Sequence, residues 1–179
     1  MTQNRTLLLI LPAFGAAIIA ALAQIIIPIG AVPITLQTFA VGLVAAILKP
    51  REATLAATLY LILGAIGLPV FAGGGGGLQA FFGPSAGYLL AYPFFALVTS
   101  ALAHAKTPIW KIFLAFVLGD ALVFVGGILS LHFLGKMGWS AAVAVGLTPF
   151  IIPDLLKGLI VALVTKPVLK ALKNHSYFN

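Results

Sequence analysis

The sequence predicts an all-α integral membrane protein, a bundle of six transmembrane helices with N and C termini cytoplasmic, and three observations carry that prediction. The 179 residues are 62% hydrophobic and 7% charged, with a mean hydropathy of +1.19, whereas an ordinary soluble domain is about 25% charged. So few polar groups cannot coat a soluble globule. The apolar runs have the length of helices, not of the roughly ten-residue alternating segments of a transmembrane barrel, and helices satisfy their own backbone N–H and C=O groups in hydrocarbon. Finally, Lys and Arg fall almost entirely on one side of the spans placed below.

Spans are expected near 7–27, 35–48, 53–67, 85–103, 109–134 and 149–169, in one transmembrane domain covering 1–179. The first follows Arg5 and precedes small residues, but its apolar run exceeds the roughly 7–15-residue core of a signal peptide and further spans follow it. Pro28 and Pro33 bracket the connection to span 2. Lys49-Pro50-Arg51-Glu52 separates spans 2 and 3, and Gly67-Leu68-Pro69 opens a long third connection. Spans 2 and 3 are short, so a broken or strongly tilted helical hairpin is the alternative there. The remaining connections leave no room for a soluble domain.

Orientation follows from charge, because basic loops resist translocation. Arg5, Lys49, Arg51, Lys106, Lys111, Lys166, Lys170 and Lys173 fall on one side of the six spans, and Lys136 on the other. The formal charge of +7 therefore belongs to a cytoplasmic face meeting anionic membrane lipid, and it requires no nucleic-acid partner.

Three charged residues, Asp120, Asp154 and Lys157, lie well inside predicted spans, where each costs a few kcal/mol near the bilayer centre. Asp154 and Lys157 are three apart on span 6 and share one helical face. Pro153, lacking an N–H, is expected to bend the helix beside them. As a structural pair they neutralise each other; as a ligand clamp the acid accepts N–H donors from a urea or amide and the ammonium meets an acceptor. Asp120 is read as pairing with a neighbouring lysine or backbone group.

The third connection is uncharged yet aromatic: Phe71-Ala72, five glycines from Gly73 to Gly77, then Leu78-Gln79-Ala80-Phe81-Phe82-Gly83-Pro84. Consecutive glycines permit positive φ and close backbone approach, at an entropic cost. Either they only let the loop turn back between spans, or the loop is a lid. In a lid, backbone N–H groups of Gly73, Gly74 and Gly75 and the Gln79 amide offer hydrogen bonds, while Phe71, Phe81 and Phe82 cover an apolar ligand body. A phosphate cradle is excluded, for want of the Lys-Ser/Thr ending and of any cation.

In span 1, Ala13, Ala17 and Ala21 recur every four residues, with Ala16 and Ala20 widening the strip. Small side chains of this spacing let another helix approach closely, either inside the bundle or from a partner. With no cysteine, neither disulfides nor thiolate metal sites are available. His104, His132 and His175 are dispersed, so no catalytic set, metal site or cofactor is expected. An intramembrane enzyme is the alternative function; a channel is a third, disfavoured because the inner half of the bundle lacks a polar path.

Four segments together resemble the BioY family, the biotin-binding substrate-specificity (S) components of energy-coupling-factor (ECF) transporters. They are Val32-Pro33-Ile34-Thr35-Leu36-Gln37-Thr38, the run from Tyr60 to Phe71, Phe82-Gly83-Pro84-Ser85-Ala86-Gly87-Tyr88-Leu89, and Pro149-Phe150-Ile151-Ile152-Pro153-Asp154-Leu155-Leu156-Lys157. The resemblance covers nearly the whole chain. It implies a non-enzymatic, multi-pass protein of the bacterial or archaeal cell membrane, which takes up biotin from outside and passes it inward with an ATP-driven module.

It further implies a biotin pocket toward the exterior, under the connections between helices 1 and 2 and between helices 3 and 4. The matching positions are the glycine loop with Gln79, Tyr88, and the pair Asp154 and Lys157. Asp154 is expected to take the urea N–H donors and Lys157 a polar end of the ligand. Ala13, Ala17 and Ala21 become the docking strip for the transmembrane coupling subunit, which works with two ATPase subunits; self-association is a further option. Family members can carry a charged or polar residue within the glycine-rich loop, where this chain has only glycine, so tail recognition would rest on backbone donors and Lys157.

Overall fold

The structure, a computed structural model, describes residues 5–28, 32–103, 106–175 and 177–178. Among the described residues seven α-helices run α1 (Arg5–Ala23), α2 (Gln37–Ile47), α3 (Pro50–Ala65), α4 (Ala86–Leu102), α5 (Ile109–Phe133), α6 (Trp139–Gly146) and α7 (Ile151–Leu172). A two-residue hairpin, β1 (Ile26–Ile27) and β2 (Ile34–Thr35), joins α1 to α2, and two 3-10 turns, 72–74 and 78–81, occupy the glycine-rich connection.

Six of these helices overlap the segments expected from sequence. The first is shorter than expected: α1 stops at Ala23, because Gln24 turns the chain and Ile26 pairs with Thr35 in the hairpin. Helix α6 lies outside the six expected spans. Its apolar stretch merges in sequence with span 6, but a break of four residues and a bend of 43° separate it from α7. Helix α1 from Thr6 and helix α5 are each long and apolar enough to cross a membrane, and α6 with α7 makes a third candidate if the bent pair is one span.

Local chemistry explains the ends. Pro50 occupies the first turn of α3, where a missing N–H costs nothing, and Glu52 in the same turn complements the helix dipole. Pro153 likewise falls in the first turn of α7, so it does not kink the helix as expected. The first N–H groups of a helix have no internal acceptor, and the ladder opens normally with Asp154 N–H donating to Phe150 O at 2.8 Å.

The distribution of polarity is inverted relative to a soluble protein. Leu9, Phe14, Ile62, Phe94, Leu118, Phe133, Ile152 and Leu163 are exposed, whereas Gln37, Thr38, Thr99, Ser100, Asp120, Asp154 and Lys157 are buried. Packing relies on small residues at helix crossings, as expected where lipid removes the hydrophobic drive between helices. Helices α4 and α5 form the most extensive pair, and Gly87 and Gly126 lie backbone to backbone where a Cβ on Gly87 would overlap the Gly126 carbonyl. The fully buried Phe116 ring of α5 fills the hollows left by Gly42 of α2 and Gly158 of α7. These crossings bring α2, α4, α5 and α7 around a common space.

Candidate functional site

That space is a cavity of about 420 Å³, within the ordinary range for a small-molecule site. Its floor is the α2–α7 crossing. The Thr38 hydroxyl donates to Asp154 Oδ1 at 3.1 Å and accepts from Lys157 Nζ at 3.0 Å. Lys157 Nζ also pairs directly with the same Asp154 oxygen. All three side chains are buried, and all three line the cavity. Because Oδ1 takes both bonds, Asp154 Oδ2 keeps its accepting capacity, and Lys157 keeps one of its three N–H donors.

The walls are aromatic. Tyr88 and Tyr92 from α4, Phe124 from α5, Phe150 before α7 and Phe71 from the third connection all line the space. Tyr88 is held in place by donating its hydroxyl to Gly146 O at 2.7 Å, at the end of α6. Helix α6 thus braces the wall even though it contributes no lining residue. Gln37 joins Thr38 from the start of α2, and its amide donates to the Tyr60 hydroxyl at 2.6 Å.

The glycine-rich connection forms a folded cover. Phe71 and Gly75 make an isolated antiparallel bridge, with Phe71 N–H donating to Gly75 O at 2.9 Å. Gly77, at φ 95°, donates its N–H to Gly64 O at 2.7 Å, anchoring the loop to the end of α3. The Phe71 ring rests on Gly64, where any Cβ would collide with it, and stands edge-on to Tyr60 at 5.5 Å and to Phe81 at 5.7 Å. From the other side the Gln24 amide reaches the carbonyls of Val70 and Phe71, both at 3.3 Å. One side chain at the end of α1 therefore ties down the cover.

The residues singled out from sequence fall into three groups. Asp154, Lys157, Tyr88, Gln79, Phe71 and Gly75 converge on the cavity. Gly73, Gly74 and Phe81 do not line it. The two glycines, at φ 66° and 79°, make the turn that brings Gly75 back to Phe71, and a Cβ on Gly73 would meet Ile26 of the hairpin instead. Phe81 supports Phe71 from behind. Ala13, Ala17 and Ala21 are exposed along α1, away from the cavity, whereas Ala16 is fully buried; the strip is narrower than expected because Ala16 packs inside the bundle.

Asp120 also departs from expectation. It is buried in α5, and its Oδ1 has no hydrogen-bond partner among the described residues, so the expected pairing with a lysine or backbone group is not made at that oxygen. Of the histidines, His132 stacks on Trp139 at 3.9 Å and His175 faces Phe178 at 6.0 Å, and neither lines the cavity; His104 lies outside the described residues. Sequence reading passed over Thr38, Gln37, Tyr92 and Gln24 as individual site residues. A Thr or Gln near a predicted helix start is an ordinary capping residue, and only its placement opposite Asp154 or the cover distinguishes it.

Comparison with known proteins places the chain in a family. The profile described as the BioY family matches residues 1–174. The biotin transporter BioY2 of Lactococcus lactis is 42% identical over 180 residues, covering 99% of each chain. The biotin transporter BioY of Thermotoga maritima is 39% identical over 148 residues, covering 83% of this chain and 87% of its own. Among solved structures, the crystal structure of the S-component for biotin from an ECF-type ABC transporter superposes with a TM-score of 0.88 at 28% identity, over 100% of both chains.

Proposed function

We propose that this chain, which belongs to the BioY family, binds biotin in the cavity above the Asp154–Lys157 pair. It is a biotin transporter of the ECF type, a membrane protein and not an enzyme. The single observation that carries the site is the triad of Asp154, Lys157 and Thr38 at the floor of an aromatic cavity.

The triad suits a urea better than a carboxylate. A urea presents N–H donors beside a carbonyl acceptor, matching the free Oδ2 of Asp154 and the remaining N–H of Lys157. A carboxylate placed there would face the Asp154 charge at close range. The thiophane ring of biotin then lies among Tyr88, Tyr92, Phe124 and Phe150, and the valerate tail runs toward the cover, where Gly75, Gly76 and Gln79 offer polar atoms. Phe81, Gly73 and Gly74 shape the cover without touching the ligand.

Six spans are supported by the helices at the expected positions, with α6 a short flank of the sixth. The connection between α2 and α3, the connection between α4 and α5, and the C-terminal Tyr177 meet around one space, which puts the basic segments at the same end. We assign that end to the cytoplasm by the positive-inside bias, with both termini there and one membrane domain spanning 1–179. Curated relatives from a bacterium and an archaeon, Bacillus subtilis and Pyrococcus horikoshii, support the cell membrane as location. Energy comes from an ECF module, whose transmembrane coupling subunit docks on Ala13, Ala17 and Ala21 of α1 and whose two ATPase subunits hydrolyse ATP.

Equilibrium binding of labelled biotin to the purified protein in detergent tests the site. Wild type binds saturably, and desthiobiotin, which keeps the urea, competes. Asp154→Asn and Lys157→Ala each weaken binding by roughly 10- to 100-fold, the loss of a hydrogen bond to a charged group. Absence of saturable binding by wild type overturns the substrate; wild-type affinity in both variants overturns the site.

A further inference from the structure

We propose that a second cavity, at the lysine-rich end of the bundle, is a binding site for the phosphodiester headgroup of an acidic phospholipid. This cavity, of about 970 Å³, opens between the inner ends of α2, α4 and α5, and Lys49, Lys106 and Lys111 line it. Among the described residues no carboxylate lines it. The nearby Glu52 is buried and engaged by the Tyr177 hydroxyl at 3.0 Å, and none of the three lysines meets a carboxylate among the described residues. Three lysines thus border one cavity with no carboxylate partner among the described residues.

An independent observation points to a ligand. Ser100, on the cavity wall near the end of α4, is 1% exposed, and its hydroxyl has no hydrogen-bond partner among the described residues. A buried hydroxyl left unpaired costs free energy, and a helical serine ordinarily avoids that cost by donating to a carbonyl one turn back. An anionic oxygen in the cavity supplies an acceptor.

The surroundings favour a lipid over a soluble anion. Lys111 lies 5.3 Å from the exposed Trp110 ring, a pairing typical of the membrane–water interface, and Leu102 and Ile109 are exposed beside it. The cavity walls include Ile47, Leu48 and Leu169, which suit a glycerol backbone and the first methylenes of an acyl chain. Lys49 extends over the Tyr177 ring, 4.8 Å from its centroid, so the C-terminal segment closes one side. Basic cavities between helices on the cytoplasmic side are a recurrent mode of acidic-lipid capture. This differs from the diffuse attraction of a positive face, because three lysines and one hydroxyl define one location.

Lipid retention by the full-length protein, measured by native mass spectrometry from detergent with added phosphatidylglycerol or phosphatidylcholine, tests the proposal, with biotin binding read in the same sample as a report of folding. Phosphatidylglycerol is retained at least about tenfold better than phosphatidylcholine. K106Q/K111Q lowers that retention about tenfold and leaves biotin affinity unchanged, and Ser100→Ala lowers it severalfold with both lysines in place. K170Q/K173Q, a substitution of equal charge outside the cavity, leaves it unchanged.

Equal retention of the two lipids, or wild-type retention in K106Q/K111Q, overturns the proposal. So does inorganic phosphate binding as tightly as phosphatidylglycerol, which would make this a free-anion site. Loss of coupling-subunit association in K106Q/K111Q with lipid retention intact would assign the cavity to a protein partner and equally overturn it. None of these outcomes depends on where biotin binds.

Discussion

Thr38 and Asp154, separated by 116 positions in sequence, meet through a 3.1 Å hydrogen bond that ties the start of α2 to the first turn of α7. The same hydroxyl accepts from Lys157, so one neutral residue fixes the direction of a buried ion pair. Burying two charges costs several kcal/mol each unless their remaining hydrogen-bonding capacity is satisfied. Thr38 does that from the outside of α7. Thr38→Val, isosteric but unable to bond, is expected to lower biotin affinity about tenfold while the protein still purifies as a folded species. Isothermal titration in detergent reads it, and unchanged affinity would remove Thr38 from the site.

Gln24 and Gly64 hold the cover from its two sides. Gln24→Ala removes the donor to Val70 and Phe71 and is expected to speed biotin dissociation severalfold. Association should change little, since the cavity floor is untouched. Gly64→Val displaces the Phe71 ring outright, an overpacking change of about 1–3 kcal/mol, and should lower both melting temperature and affinity. Stopped-flow release of labelled biotin separates these effects. A cover irrelevant to retention would leave the Gln24→Ala rate at the wild-type value.

Ala17 is exposed on α1, one turn from Ala13 and Ala21. Ala17→Leu is expected to weaken association with the coupling subunit on co-purification and leave biotin binding unchanged. Loss of biotin binding instead would show that the strip serves the bundle interior.

Tyr177, on the C-terminal segment, accepts from Lys49 N–H at 2.9 Å and donates to Glu52. Burial pushes its phenol well above the ordinary range. A raised folded-state value means that the unfolded chain ionises first, near pH 10, so the folded state loses stability as pH rises through and beyond that value. Thermal unfolding in detergent should therefore fall less steeply between about pH 9.5 and 11 in Tyr177→Phe than in wild type. The variant, lacking the bond to Glu52, starts from lower stability at neutral pH. Parallel pH curves would place Tyr177 in water.

Much of the molecule is legible without coordinates because hydrocarbon imposes strong rules on a chain. Apolar runs must be helices, expensive charges need a reason, and basic loops choose a side; α1, α5 and the Asp154–Lys157 pair follow from those rules. The i, i+3 spacing of Asp154 and Lys157 is itself a statement of geometry, since a helix places them together wherever it lies.

What the tertiary structure decided was everything that depends on which helix faces which. Helix α6 merges with α7 in hydropathy, and only the 43° bend separates them. Pro153 reads as a kink, yet its place in the first turn of α7 makes it harmless. The glycine run reads as one feature, but its members divide: Gly75 reaches the cavity while Gly73 and Gly74 only turn the chain. Thr38, Gln24 and Ser100 are unremarkable in sequence, because a neutral polar side chain acquires meaning from the group opposite, and that group lies across a helix crossing set by Gly42, Gly158 and Phe116. The sequence by itself determined the solvent and the charges; packing of small residues across helices determined the cavity and made the glycine-rich connection its cover, because contact between distant positions is decided by which surfaces can approach, and composition does not specify that.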